Sequence, residues 1–480
     1  MPLPLLVSPP SLPPAVSAED WANTPPSVQQ LVLSLLQTVA DLQARVALLE
    51  DKLRANSHNS HKPPSSDGPG AAPPASDQPK KKRRSRGGQK NHPRHERTLL
   101  PPDLVRDCKP PSCGRCHAAL SGDDPAPRRH QLWELPTKLV EVTEFRIHRL
   151  TCDCGHVNVG ALPDRASHQG YGPRLTSAIA LLVGGFRLSH RAVVDVMAEV
   201  FGIPLATGSV SNQQQTVSRA IEPAYNEAHT YAQKQPVGNA DETSWRVDKK
   251  RAWLWVLVVP WVSVFVIGAT RGGEVARKLL GDFAGILGTD RWSAYLWVDA
   301  KRRQLCWAHL LREWQRFIDR GGQDAEVGRA LLKETRAMFR WWNRVKTGHR
   351  ERAWFIAQMK PVRGRFKRLL ERGAAEGTEA TAGTCRDILG VEPGLWTFVS
   401  TPEVEPTNNA AEQALRFGVM LRKTSFGSDS KGGARFTERM LTVRASLRQQ
   451  GRRVLDFLEA SVRAVRGQMG GPSLLPNPGG

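Results

Sequence analysis

Hydrophobic positions near the start of the chain recur in alternating steps of three and four, the spacing of a helix that buries one face. The members of this series are Val32, Leu35, Val39, Leu42, Val46, Leu49 and Leu53. β-Branched residues mostly occupy one heptad position and leucine the other, which favours a parallel two-stranded coiled coil. We predict a coiled coil over residues 27–55; the alternative is one amphipathic helix packed on the protein's own core. We expect residues 1–26 to be disordered.

A different pattern begins at residue 237, where short apolar stretches alternate with turns. From there to about residue 308 the order is strand, hairpin, helix, strand and strand, which predicts a mixed α/β sheet. Residues 252–269 carry no charge and reach the length of a membrane span. Aromatic and β-branched residues around Pro260 instead favour two buried strands and a turn. We therefore predict a hairpin in the core and no membrane contact.

Helical periodicity dominates the remaining segments. Residues 170–230 are predicted to be helical, with Ser189 as a cap and a Gly/Pro break, an order compatible with a DNA-binding helix-turn-helix. Any small pair of helices gives a similar pattern. Residues 310–400 predict a helical insertion into the sheet domain. A C-terminal helical segment, 426–467, precedes a Gly/Pro-rich tail, 468–480, that we expect to be disordered.

The charge of the chain points to a polyanionic partner. Its 480 residues have room for two or three domains, and 68 Lys and Arg against 46 Asp and Glu give a net charge of +22. Such an excess favours DNA or RNA as the partner, although solvated surface charge explains part of it. Residues 1–14 place no basic residue before their apolar stretch, which argues against a signal peptide. We expect a cytoplasmic protein.

A Ser-, Pro- and His-rich segment, residues 56–100, has no apolar periodicity and is predicted to be a flexible basic linker. Its basic run contains Lys80, Lys81, Lys82, Arg83, Arg84 and Arg86. The alternative interpretation of such a run is solvated charge. In a chain this basic, we expect the arm to contact DNA phosphates.

Two cysteine pairs lie in residues 101–165, which we predict to be a small zinc-binding module. The predicted Zn²⁺ ligands are Cys113, Cys116, Cys152 and Cys154. The first pair has zinc-knuckle spacing and the second is one residue tighter. Residues 133–150 alternate as strands do, which would bring the pairs together. Buried free cysteines are the alternative, and three neighbours could replace a ligand: His117, His156 and Cys108.

Three acidic segments far apart in sequence carry the candidate chemistry. Asp241 and Asp290 lie at or just after apolar stretches that look like buried strands, and Glu412 lies on a predicted helix that follows a good cap at residues 407–409. Three carboxylates converging from two strands and a helix can hold two divalent metal ions for phosphoryl transfer. Glu242 competes with Asp241, but adjacent side chains on a strand face opposite ways.

Further candidates for DNA contact lie close to these acids in sequence. Arg416 is four residues after Glu412 on the same helix face, so it either pairs with that carboxylate or contacts a phosphate. Arg422 and Lys423 follow, and we expect this helix end to lie along DNA. Trp307 and His309 either stack on or orient DNA near the site, or are buried beside the strand.

Taken together, these segments resemble the insertion-sequence-66 family of bacterial transposases. The resemblance rests on the coiled coil, the linker at 59–67, the Gly-Gly-Gln arm, the cysteine module, Asp-Glu-Thr at 241–243, Cys-Trp-Ala-His at 306–309 and Thr-Asn-Asn-Ala-Ala-Glu at 407–412. It implies a multidomain α/β, DDE-type enzyme whose RNase H-like catalytic core, residues 235–309 and 401–425, is interrupted by the helical insertion.

By that resemblance Asp241, Asp290 and Glu412 hold two Mg²⁺ (or Mn²⁺) ions. The implied reaction cuts DNA at terminal inverted repeats and joins the ends to target DNA. Homo-oligomers through the coiled coil and accessory proteins of the same element are implied partners. The resemblance also implies a bacterial, nucleoid-associated protein. The second cysteine pair, the arm sequence and Gln413 depart from the family pattern. An RNase H-like nuclease without strand transfer and an inactive DNA-binding regulator are the alternative functions.

Overall fold

The computed structural model describes residues 17–56, 59–60, 99–136, 138–163, 170–467 and 470–476. The basic run from Lys80 to Arg86 lies outside these residues, so its predicted role stays a prediction. The chain divides into two compact units. The larger unit draws its described residues from 17–60, 170–194 and 205–476, and the smaller from 99–162 and 195–204.

The sheet of the larger unit has five strands in the order β5-β4-β3-β6-β7. Their bounds are β3 Val237–Val247, β4 Lys250–Val259, β5 Val262–Gly268, β6 Ile286–Thr289 and β7 Arg303–Leu305. Strands β3, β4 and β5 pair antiparallel, whereas β3–β6 and β6–β7 are parallel. The predicted mixed sheet is therefore confirmed.

The charge-free run forms the predicted hairpin of β4 and β5. Alternate residues of β4 enter two different cores: Trp255 and Leu257 face one, and Leu254 and Val256 face the other. A strand buried on both faces carries no polar alternation, which explains why the run resembled a membrane span. Among the residues that the structure describes, no helix is long and apolar enough to cross a membrane.

Helices cover both faces of the sheet. Their bounds are α3 Pro173–Phe186, α5 Thr207–Ala220, α6 Glu222–Gln233, α7 Gly273–Leu280, α13 Asn409–Ser425, α14 Lys431–Gln449 and α15 Val454–Val465. A further helix, α4 His190–Phe201, is divided between the two units. Ser189 caps α4 as predicted, since its hydroxyl accepts a hydrogen bond from the Ala192 N–H at 3.1 Å. Helix α13 packs on β3 and β4, while α5, α6, α14 and α15 contribute to the core on the other face.

The predicted insertion is helical and has its own core of tryptophan and phenylalanine side chains. Its helices are α8 Trp307–Arg320, α9 Gly322–Lys346, α10 Arg352–Glu376, α11 Glu379–Gly390 and the short α12 Thr397–Ser400. The two ends of the insertion meet, because the Trp307 N–H donates to the Pro406 carbonyl at 2.9 Å. The insertion thus leaves the sheet and returns to the same place.

The described parts of the two terminal segments, residues 17–26 and 470–476, are ordered, contrary to our expectation. Residues 18–22 form a short helix, α1 Ala18–Ala22, because the Ser17 hydroxyl caps it through the Asp20 N–H. In the tail, Leu474 is fully buried in the sheet core. Burial of this side chain is favourable because removing apolar surface from water lowers the free energy. Helix α2, Pro26–Arg54, coincides with the predicted coiled coil, and its apolar stripe is exposed, with Leu42 54% accessible.

The smaller unit contains one two-stranded sheet, β1 Arg149–Thr151 paired antiparallel with β2 Val157–Val159. Residues 133–136 and 138–148 form no strand, contrary to their alternating pattern, because most of their apolar side chains remain exposed. Each cysteine pair lies in a tight turn, and backbone N–H groups of those turns lower the pKa of Cys113 and Cys152. Within the described residues the four thiols do not gather into one ligand set, so the zinc site stays a prediction.

Candidate active site

Parallel pairing of β3 and β6 places two of the predicted acids side by side. Val237 pairs with Ile286 and Asn239 with Gly288. Continuing this register by two residues sets Asp241 opposite Asp290, which follows the end of β6. Parallel strands lie about 4.8 Å apart, so the two backbones are neighbours.

Helix α13 brings the third acid to the same place. Its first residues are fixed by Asn408, whose side-chain amide donates to the Ala240 carbonyl of β3 at 2.8 Å and whose backbone N–H contacts the Cys306 sulfur at 3.2 Å. The cap predicted at residues 407–409 therefore works differently from our expectation: the Asn408 side chain bonds to the strand and not to the helix. This bond fixes how far along the axis of α13 Glu412 lies relative to Asp241 on β3.

The three carboxylates influence one another electrostatically. Burial raises the pKa of Asp241 well above its ordinary value, and the charges of Glu242 and Asp290 add to that rise. Burial also raises the pKa of Glu412, opposed by the guanidinium of Arg312 and reinforced by Asp290. Negative charge is therefore concentrated here beyond what the described protein groups neutralise.

Glu242 is distinguished from Asp241 by its surroundings. One of its oxygens accepts a hydrogen bond from Arg271 at 2.8 Å and the other from the Tyr295 hydroxyl at 2.9 Å. Burial is the main cause that raises its pKa, followed by the charge of Asp290. Both Glu242 oxygens are thus engaged by protein, which leaves Asp241 as the better candidate ligand on β3.

A second set of potential ligands shares Glu412. Single ligand atoms of Cys306, His309 and Glu412 all lie within 4.8 Å of one another. His309 is buried, and its Nδ1 is 3.7 Å from Glu412 Oε1. Burial raises the pKa of Cys306 to about 11, which keeps the thiol protonated at neutral pH. His309 was predicted to contact DNA, and the structure places it beside the third carboxylate.

The donor set fits divalent metal ions. Carboxylate oxygens are the ligands that Mg²⁺ and Mn²⁺ prefer. Glu412 Oε1 is buried and accepts no hydrogen bond from the described residues, although His309 Nδ1 lies 3.7 Å away. Asp241, Asp290 and Glu412 do not form a described set with all ligand atoms within 4.8 Å.

The predicted DNA contacts divide into exposed and structural residues. Arg416 and Lys423 are exposed. Arg422 is half-buried, and its guanidinium donates to the Ser244 carbonyl of β3 at 2.6 Å. Trp307 is fully buried and donates through Nε1 to the Leu395 carbonyl at 2.9 Å, which corresponds to the buried alternative that the sequence left open. The large ring fills the insertion core, because burying its apolar surface lowers the free energy more than leaving it exposed for contact with a DNA groove.

Several supporting residues were missed by sequence reasoning. Arg303 is buried, and its guanidinium donates to Thr289 Oγ1 and to the Asp290 carbonyl, both at 3.0 Å, which fixes the end of β6. Arg271 and Tyr295 hold Glu242. None lies in a motif with the acids, and only their contacts in the folded chain reveal them.

Comparison with known proteins places this site within one family. The Transposase IS66 family matches residues 168–436. A family of unknown function matches residues 11–98. "Uncharacterized protein y4hP" of Sinorhizobium fredii is 24% identical over 392 residues, which cover 72% of this chain and 68% of the relative. "Uncharacterized protein y4jD" of the same organism is 23% identical over 374 residues, covering 70% and 71%.

The sheet and its three acids define a mixed α/β protein with a candidate metal centre. All three acids lie within the matched residues, which make up more than half of the chain. The chain belongs to the Transposase IS66 family. Membership supports a transposase role and implies that the protein binds DNA.

Proposed function

We propose that this protein is a DDE-type DNA transposase of a bacterial insertion sequence, which cuts DNA at terminal inverted repeats and joins the ends to target DNA. The observation that supports this best is the approach of Asp241, Asp290 and Glu412 from two neighbouring strands and a helix, within the residues that match the family. In this proposal the RNase H-like core comprises residues 235–309 and 401–425.

The proposed mechanism assigns each acid the role of a metal ligand. When bound, two Mg²⁺ or Mn²⁺ ions supply activation of a water or DNA 3′-hydroxyl and stabilisation of the departing oxygen. Asp241 and Glu412 would hold the cations as carboxylates, and because burial raises the pKa of both, metal binding would weaken as pH falls. Arg312 and Arg416 lie near Glu412 and orient the phosphodiester by charge-assisted hydrogen bonds.

Other parts of the chain serve DNA recognition and assembly in this proposal. The arm at 56–100 contacts phosphates, and residues 170–230 contribute a helix-turn-helix-like segment. The module at 101–165 holds a structural Zn²⁺, an assignment supported by the Arg115 N–H pointing to the Cys113 sulfur at 3.4 Å. The exposed stripe of α2 joins copies of the chain, with accessory proteins of the element as further partners, in the bacterial cytoplasm.

Strand cleavage and joining by the purified protein test the proposal, with the element's terminal repeats as substrate and Mg²⁺ present. We expect Asp241→Asn, Asp290→Asn and Glu412→Gln each to lower the rate at least about a hundredfold while DNA binding persists. Glu274→Gln, which changes an exposed acid of α7, is the matched control. Cleavage without joining would favour a nuclease, and binding without metal-dependent chemistry, even with accessory proteins added, would favour a regulator.

A further inference from the structure

A basic groove lies at the end of β3 and α13 that is remote from the three acids. It has a volume of about 740 Å³ and is lined by Arg246, Lys249, Arg251, Arg422, Lys423 and Phe426, with Ser244 and Trp245 at its base. Five of these side chains are cationic, and none is a carboxylate. Only Arg422 and Lys423 were anticipated as DNA contacts, so most of the groove is new.

The base of the groove is held rigidly by the backbone. After α13 ends, the Ser428 N–H donates to the Arg246 carbonyl and the Asp248 N–H to the Ser428 carbonyl, each at 2.9 Å. Gly427, with φ of +123°, makes this approach possible, because a Cβ there would lie 2.4 Å from the Arg246 oxygen. The Trp245 ring nitrogen bonds to Ser428 Oγ at 3.3 Å. The surface is therefore formed before any ligand arrives.

Four of the five cations of the groove are left for an external anion, whereas Arg422 donates to the Ser244 carbonyl at 2.6 Å. Within the described chain, none of the five forms an ion pair with a carboxylate, whereas arginines of the insertion pair repeatedly with glutamates. Arg246, Lys249, Arg251 and Lys423 are exposed. Five like charges around one concavity repel one another, and a phosphate backbone relieves that repulsion by replacing small counterions.

Phe426 adds an aromatic surface to this cationic groove. Its side chain is 76% accessible, although it belongs to a large apolar ring. The residue caps α13 with a left-handed φ of 58° and a backbone N–H bonded to the Arg422 carbonyl at 2.8 Å. An exposed ring beside cations is the arrangement with which proteins stack unpaired bases while holding the backbone of a single strand.

The groove is separate from the candidate metal centre but aligned with it. Along β3, five residues separate Asp241 from Arg246, and along α13 eleven residues separate Glu412 from Lys423. With about 3.3 Å per strand residue and 1.5 Å per helix residue, both routes span about 16 Å. That distance corresponds to about five nucleotides of stacked DNA.

We infer that this groove binds an unpaired DNA strand, with phosphates on its cations and a base on Phe426, about five nucleotides from the phosphate at the three acids. The inference rests on the proposed function for the identity of the DNA, since it names the surface that holds the strand leading away from the site. Binding in the groove itself requires neither metal nor intact acids.

Binding of the full-length protein to a fluorescent twenty-thymidine strand in EDTA tests the inference by anisotropy. We expect Lys249→Glu/Arg251→Glu to weaken binding about tenfold and to lower the salt slope by about 1.4, because two phosphate contacts are lost. Arg329→Glu/Lys333→Glu makes the same charge change on exposed positions of α9 and should weaken binding less than twofold. Equal weakening by both double variants would overturn the inference.

Phe426 is tested separately. Phe426→Asn, which tolerates the left-handed conformation, should weaken strand binding about tenfold, and Phe426→Trp should restore it. Trp261→Asn is the matched control, an exposed aromatic with φ of 70° in the β4–β5 turn. With 5-iodouracil in the strand, the photo-crosslinked peptide should contain Phe426. Unchanged binding by Phe426→Asn, or equal loss with a duplex, would remove the base-stacking part.

Glu412→Gln separates this inference from the proposed function. The variant should bind the strand as the wild type does, because the groove is about 16 Å away. If the variant binds the single strand normally and also cleaves DNA normally, the proposed function is wrong, whereas strand binding by the groove is still supported. If the groove variants bind normally while the acid variants lose cleavage, the groove fails and the proposed function stands.

Discussion

At the scale of single residues, the candidate site depends on how two adjacent acids of one strand are separated. Asp241 faces α13, and Glu242 faces the opposite side, where Arg271 and Tyr295 hold it. The sequence predicted that only one of the two points into the site. It did not predict what holds the other, because the supporting residues come from later in the chain.

Asp241 should destabilise the metal-free protein at neutral pH. Its pKa in the folded state lies above the ordinary 3.8, so the folded chain binds more protons than the unfolded chain, and stability is lost as pH rises from about 4 through the folded-state pKa. We expect Asp241→Asn to melt a few degrees higher than the wild type in EDTA at pH 8, and to lose the increase that Mg²⁺ gives the wild type.

Thermal unfolding between pH 5 and pH 8 measures this effect. Asp248→Asn, which changes an exposed aspartate of the β3–β4 turn, is the control and should follow the wild type. The same pH dependence in Asp241→Asn as in the wild type would show that repulsion at Asp241 is not significant.

The Tyr295 hydroxyl should contribute measurably to stability. It is buried and donates to Glu242, so Tyr295→Phe leaves a buried carboxylate oxygen without its donor and should cost about 1–3 kcal/mol in the free energy of unfolding. Urea denaturation measures the change. Tyr231→Phe removes a hydroxyl that makes no hydrogen bond within the described chain. If both variants lose the same free energy of unfolding, the hydrogen bond from Tyr295 to Glu242 does not stabilise the protein.

At the scale of elements, one side chain connects the helix of the third acid to the strand of the first. The Asn408 side chain bridges the start of α13 to β3. The Asn408 backbone N–H also donates to the sulfur of Cys306, the residue that follows β7. Elements that are 168 residues apart in sequence are thus fixed to one another by Asn408 and Ala240. Packing of α13 on the sheet alone would permit a shift along the helix axis.

Asn408→Ala should reduce activity more than stability. Losing the bond to the strand should cost about 1–3 kcal/mol, and the displaced Glu412 should slow cleavage at least about tenfold. Thr335→Ala, which removes a buried hydrogen bond to Trp314 in the insertion, is a control that lowers stability without reaching the site. Cleavage rates and urea midpoints compared across both variants decide the matter; parallel losses in both would contradict a positioning role.

Elements with strong periodicity were predictable from sequence, and contacts were not. The β4–β5 hairpin, the helical insertion and α2 follow directly from their hydrophobic patterns. Residues 133–148 were misinterpreted because alternation alone does not supply a partner strand. The role of Trp307 stayed open because sequence does not tell whether a tryptophan beside a motif faces a core or a groove. The acids were recognisable by their motifs, whereas Arg303 and Tyr295 became evident only through packing.

At the scale of the whole molecule, the exposed stripe of α2 predicts self-association. Val39, Leu42, Val46 and Leu49 are each about half accessible in the single chain. The C-terminal end of α2 is held to α8 by Asp51, which pairs with Arg316 at 2.8 Å and Arg320 at 3.1 Å. A helix fixed at one end and apolar along its length is suited to pairing with a second copy.

Leu42→Asp/Val46→Asp should shift the protein to monomers, because two charges in a heptad seam are costly to bury. Light scattering after size exclusion measures the molar mass across a range of concentrations. Ser34→Asp, on an exposed position of the same helix away from the stripe, should leave the mass unchanged. A wild-type protein that is already monomeric at micromolar concentration would contradict the prediction.

The closed insertion has a consequence for how the protein is made. Asp241 and Asp290 are translated before the insertion and Glu412 after it, 122 residues beyond Asp290. At about 5–20 residues per second, the ribosome needs about 6–25 seconds to deliver the third acid after the second. A nascent or prematurely terminated chain therefore presents two of the acids without the third. Completion of the insertion therefore sets the earliest point in synthesis at which all three acids can meet.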